Sequence, residues 1–87
     1  KITVRGKKVQ VSVESIPLGE FIDLMFGHVL ALNYTVSEDI RQKKDLITLN
    51  MSEVQKKQEV YNVTEKLLEM YGVEITKKDG VLFISKA

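Results

Sequence analysis

His28 is the only imidazole in the chain and there is no cysteine, so the side chains that most often bind zinc or move protons near neutral pH are almost missing. One imidazole without a second His or a thiolate gives no zinc ligand set. A hydroxyl–imidazole–acid relay would need a Ser and a carboxylate converging on His28, and nothing in the spacing brings them together. The acids are dispersed: Glu53, Glu59, Glu65 and Glu69 alternate with Lys56, Lys57 and Lys66, the pattern of a solvated helix face rather than of a carboxylate pair. Gly6, Gly19, Gly27, Gly72 and Gly80 match neither a GxGxxG nor a P-loop spacing, so no phosphate cradle is expected. These residues predict a protein that is not an enzyme and that carries no cofactor and no metal.

Nucleic-acid binding has one feature in its favour, the four lysine doublets Lys7–Lys8, Lys43–Lys44, Lys56–Lys57 and Lys77–Lys78. The 12 acids nearly cancel the 13 bases, leaving a net charge of +1 and little pull toward a polyanion or an anionic membrane. There is no GXXG clamp, and Tyr34 and Phe83 are too few to make a stacking platform. The doublets read as devices that keep turns and strand edges soluble.

The elements that would carry an interaction surface follow from hydrophobic periodicity. At 87 residues, with 44% hydrophobic and 29% charged side chains, the chain is one folded domain spanning 1–87. Ile2–Val4 and Val9–Val13 alternate with period two, and the link Arg5–Gly6–Lys7–Lys8 joins them as a hairpin or leads as an arm into one firm strand, Val9–Glu14. Val9, Val11 and Val13 would face the core, with Gln10 and Ser12 outward. Pro17 opens a helix whose apolar stripe runs Leu18, Phe21, Ile22, Met25, Phe26, Val29, Leu30 and Leu32, ending near Asn33. Gly19 and Gly27 inside that helix each cost about 1 kcal/mol against alanine, so another element is expected to approach closely there.

Tyr34–Val36 reads as a short strand, Ser37–Asp45 as a charged connector and Leu46–Met51 as a further strand. Ser52–Gln55 has the pattern of a capping box for a second helix reaching Tyr71, with Val60, Val63, Leu67, Leu68 and Tyr71 on its apolar stripe. Gly72 would close that helix in the left-handed region, and Asp79–Gly80 would turn a terminal hairpin. The predicted order is β(β)αββαββ, an α+β fold. The richest apolar window, Leu18–Leu32, is broken by Gly19, Glu20, Asp23, Gly27 and His28 and is not read as a membrane span. The chain opens on Lys1 with no signal-peptide pattern, as expected of a piece of a longer protein.

The strand running into Ile16–Pro17–Leu18, the pair Phe21–Ile22, the exit Leu32–Asn33–Tyr34–Thr35–Val36, the run Ile47–Met51, the helix end Leu67–Val73 and the close Asp79–Ile84 together resemble the periplasmic N0 domain of bacterial secretins, the type II secretion protein D above all. The resemblance spans roughly Val9 to Lys86, with residues 1–8 an added strand or upstream linker. It implies two helices flanked by a two-stranded sheet and a three-stranded mixed sheet. It also implies a periplasmic docking domain of a Gram-negative outer-membrane channel, touching an inner-membrane linker protein and neighbouring subunits of a ring. Membrane association would come only through the rest of the full-length protein, and nucleic acid is not an implied partner. Carried over by position, the linker contact falls on Val9, Gln10, Val11, Ser12 and Val13. The same module serves as the signalling domain of TonB-dependent transducers, which stands as the alternative, with a KH-like nucleic-acid module behind it.

Overall fold

Val9 and Val11 have no solvent exposure, and they lie on a strand that is hydrogen-bonded on both sides. The computed structural model describes the backbone of Ile2–Arg5 and residues 7–87 in full. Strand β1 (Ile2–Arg5) forms an antiparallel hairpin with β2 (Lys8–Pro17), pairing Arg5 with Lys8 and Ile2 with Val11. The expected glycine of the linking turn, Gly6, lies outside the described residues. On the other side of β2 run β4 (Leu46–Asn50) and then β5 (Gln55–Lys56), which pairs Lys8 and Val9. The first sheet thus contains the expected pair of long strands with β1 and β5 added to it. A bulge at Ser15, whose φ is 50°, shifts the register between Val13 and Ile16 and lets the end of β2 bend into the first helix.

That helix starts as α1 (Leu18–Ile22), with Pro17 at the cap position, and continues as a π-helical segment, Asp23–Val29. The sequence reading missed this widening, although its cause is written in the residues. The doublets Phe21–Ile22, Met25–Phe26 and Val29–Leu30 repeat every four residues, and all six are buried. In a pure α-helix, at roughly 100° per residue, each step of four would drift by about 40° and carry the last doublet off the core. A wider turn holds all three on one face. The segment ends with the Leu30 N–H bonded to the Met25 carbonyl and with Ala31 in the left-handed region, φ 50°, so Leu32 falls outside the helix.

Strand β3 (Tyr34–Val36) is the short strand expected and pairs parallel with β7 (Val81–Lys86). The second sheet has the order β3-β7-β6, with β6 (Val73–Lys78) antiparallel to β7, giving the three-stranded mixed sheet. Asp79 and Gly80, at φ 53° and 77°, form the two-residue turn between them. The Ser37–Asp45 connector is not purely a connector: α2 (Glu38–Arg41) lies within it and delivers Ile40, fully buried, to the core. A single apolar residue in a charged stretch has no period to reveal it.

The second long helix, α3 (Lys57–Glu69), begins later than its capping-box pattern suggests. Beyond Asn50 the Lys8–Val9 edge of β2 still needs partners, and Gln55–Lys56 supply them before the helix can start. The inward face of α3 is accordingly Val60, Thr64 and Leu68, while Val63, expected inside, is 38% exposed. Thr64 is tolerated there because its hydroxyl donates to the Val60 carbonyl at 2.8 Å. Gly72, at φ 76°, ends the helical chain as expected. One core joins the two sheets through Phe21, Phe26, Ile47, Val60, Leu68 and Ile84.

Both helical glycines do face another element. A Cβ on Gly19 would meet Arg41 atoms at 3.8–3.9 Å, ordinary contact distance, whereas on Gly27 it would lie 3.2 Å from the Tyr34 hydroxyl oxygen. Gly19→Ala is therefore expected to raise stability by about 0.5–1 kcal/mol, through helix propensity and a less flexible unfolded chain. Urea denaturation would read this as a higher midpoint at unchanged slope.

Candidate protein-docking face

The outer face of the first sheet carries the residues nominated for docking. Along β2, Gln10 and Ser12 point away from buried Val9 and Val11, and both are half-buried, as is Val13. The Met51 N–H donates to the Val11 carbonyl at 3.0 Å, which makes Ser12 and Asn50 a closely facing pair without a backbone bond between them. Their side chains meet instead: Ser12 Oγ donates to Asn50 Oδ1 at 2.7 Å. Gln10 Nε2 donates to the Met51 carbonyl at 2.8 Å. Next to them, exposed Thr48 accepts the Ser15 N–H through Oγ1 at 3.0 Å, and Leu46 is 56% exposed at the end of β4.

The five nominated residues are thus divided. Val9 and Val11 serve the core, and an interior strand offers no open backbone edge at those two positions. Gln10 and Ser12, with Asn50 and Thr48 beside them, form a neutral patch of amides and hydroxyls, bordered beyond Gln10 by the exposed cross-strand pair Lys8 and Lys56. Asn50 and Thr48 were missed because the strand pairing that brings them alongside Ser12 spans 38 residues of sequence. Alternation marked them as outward, but not as neighbours of β2.

The strongest electrostatic cluster lies elsewhere. Asp23, on the π-helical segment, accepts a bidentate contact from Arg41 (Nη1 to Oδ2 at 3.0 Å, Nη2 to Oδ1 at 3.1 Å) and a hydrogen bond from Tyr34 Oη at 2.8 Å. The Arg41 hydrogen bonds hold the Asp23 carboxyl below its usual range, against the opposing effect of burial. Burial first, and then the bond to Asp23, pushes the Tyr34 phenol up. The three groups come from the helix, β3 and α2, so the cluster ties those elements together. It holds no spare nucleophile or base. His28 is exposed, and among the described residues no three His, Cys, Asp or Glu side chains converge as a metal site would need. Among those residues, no helix is long and apolar enough to cross a membrane.

No family profile matches the chain, and no curated protein sequence does. Solved structures do match. The N0 domain of the type II secretin from enterotoxigenic Escherichia coli superposes with a TM-score of 0.77 at 16% identity, over 90% of this chain and 93% of that one. A cysteine-substituted, dimeric form of the N-terminal domain of the secretin XcpQ from Pseudomonas aeruginosa superposes with a TM-score of 0.79 at 14% identity. That match covers 99% of this chain but 37% of the XcpQ chain. This chain has the fold of the N0 domain of type II secretins.

Proposed function

We propose that the chain is the periplasmic docking domain of a secretin channel in type II secretion, working by contact and not by catalysis. The observation that carries this reading is the superposition on an isolated secretin N0 domain along nearly the full length of both chains. The partners are an inner-membrane linker protein of the secretion machine and neighbouring copies in a ring. The linker contact lies on the outer face of the first sheet around Gln10, Ser12 and Asn50. Neutral amides and hydroxyls suit a transient contact, since they lose less on desolvation than charges would. An interface limited to such a face would bury less than about 1,200 Å² and bind weakly alone. Ring multiplicity would then raise the avidity without new contacts.

Asn50→Arg tests the assignment. The residue is exposed, so the variant folds, and a long cation replaces half of the Ser12–Asn50 pair. Calorimetric titration with the periplasmic region of the linker protein should show affinity falling about tenfold, the equivalent of roughly 1.4 kcal/mol. Unchanged affinity in a folded variant would remove this face from the docking site.

A further inference from the structure

We infer that a second docking site exists on this chain: the groove between the start of α3 and the β6–β7 turn takes a protein segment that carries a bulky apolar side chain flanked by carboxylates. This goes beyond the linker contact, because none of the residues lining the groove comes from the first sheet. The groove has a volume of about 590 Å³, and its walls include Leu30, Leu32, Leu82 and Tyr61. Leu30 and Leu82 are nearly covered by the protein, but Leu32 stays 39% exposed although it is part of an apolar wall. Its exposure follows from the helix ending early at the left-handed Ala31, which turns Leu32 out of the helical stripe and onto the groove.

Charge specifies the occupant. Lys57 and Lys77 stand on the rim, no acid lines the groove, and among the described residues neither lysine has an ion-pair partner. Lys57 is also misplaced for helix stability. It is the first residue of α3, preceded by Lys56 at a cap position that has no side-chain cap, so two cations sit at the positive end of the helix dipole against one first-turn acid, Glu59. A carboxylate lodged there would reverse an unfavourable local arrangement while its apolar neighbour covers Leu32. The net charge of +1 gives no general attraction to membranes, which favours a peptide over a lipid surface.

The test is two-dimensional amide NMR of the whole chain titrated with a blocked hexapeptide of two leucines between pairs of glutamates. A control peptide has lysines in place of the glutamates. The acidic peptide should shift the amides of Leu32, Gln58 and Gly80, and the control should not. Lys57→Glu combined with Lys77→Glu should weaken binding about tenfold or more, two rim charges being reversed. Both lysines are exposed; should the double reversal disturb the spectrum, Lys57→Gln alone should weaken binding about threefold. Equal shifts from both peptides, or shifts confined to other amides, would overturn the proposal. So would the same shifts produced by sodium acetate alone, by phosphatidylglycerol vesicles in place of peptide, or by raising the protein concentration.

Discussion

Phe26→Ala is expected to destabilise the domain by about 3–5 kcal/mol, the usual cost of emptying an aromatic site in a packed core. Phe26 has no exposure and stands 6.1 Å, ring centre to ring centre, from both Tyr34 on β3 and Tyr61 on α3. Its removal would therefore loosen the π-helical segment from two elements at once. Domains of this size have stabilities near the low end of about 5–15 kcal/mol, so most of the reserve would go. Thermal unfolding followed by circular dichroism should show the midpoint lowered by roughly 15–30 °C. Phe83→Ala serves as the comparison, because Phe83 is 42% exposed and pairs with Thr35 and Thr76 on the outer face of the second sheet. Its loss should cost about 1 kcal/mol or less. If the two variants melt together, the core does not run through Phe26 as described.

Legibility in the sequence tracked how local each cause was. The terminal hairpin was readable because Asp79–Gly80 sits between two alternating runs, and turn chemistry there involves only adjacent residues. Gly72 was readable for the same reason. The start of α3 was misjudged because a local capping pattern at Ser52–Gln55 competed with a non-local demand, the unpaired end of β2, and the non-local demand won. The π-helical segment could have been found from the four-residue repeat of its apolar doublets, which a search for helical stripes alone absorbs as mere width. At the docking face, alternation identified Gln10 and Ser12 as outward. It could not show that β2 is interior, since that depends on which strands neighbour it. Alternation also placed Val9 and Val11 inward, as they are, whereas the bond that occupies the Gln10 amide follows from the sheet and not from the strand.

The second large effect couples two substitutions that look harmless singly. Gly27→Ala places a methyl 3.2 Å from the Tyr34 hydroxyl oxygen, so tight that the hydroxyl must give by a few tenths of an ångström, which strains its 2.8 Å bond to Asp23. A hydrogen bond to a carboxylate contributes about 1.5–3 kcal/mol when well shielded, and toward the lower end here because Asp23 is 42% exposed. Against this, alanine recovers about 0.4–1 kcal/mol, since Gly27 is not among the positive-φ glycines and needs no special backbone freedom. With that bond given up, the balance is a net loss of up to about 1 kcal/mol. In a Tyr34→Phe background the hydroxyl is gone and the next nearest atom lies 3.6 Å away, so the same Gly27→Ala should stabilise by about 0.4–1 kcal/mol. The sign reversal, a coupling of about 1.5 kcal/mol in a double-mutant cycle, separates a steric seam from plain helix propensity. Acid provides the matching signature. The Asp23 carboxyl is held below its ordinary 3.8, so its contribution is present above about pH 4 and is lost as pH falls through the lowered value. The penalty of Gly27→Ala should therefore be full at neutral pH and shrink in acid, whereas Gly19→Ala, whose methyl meets Arg41 only at ordinary contact distance and displaces no hydrogen bond of Asp23, should keep its gain throughout. A pH-independent penalty, or the same sign in both backgrounds, would mean that Gly27 is a glycine for some reason other than room for Tyr34.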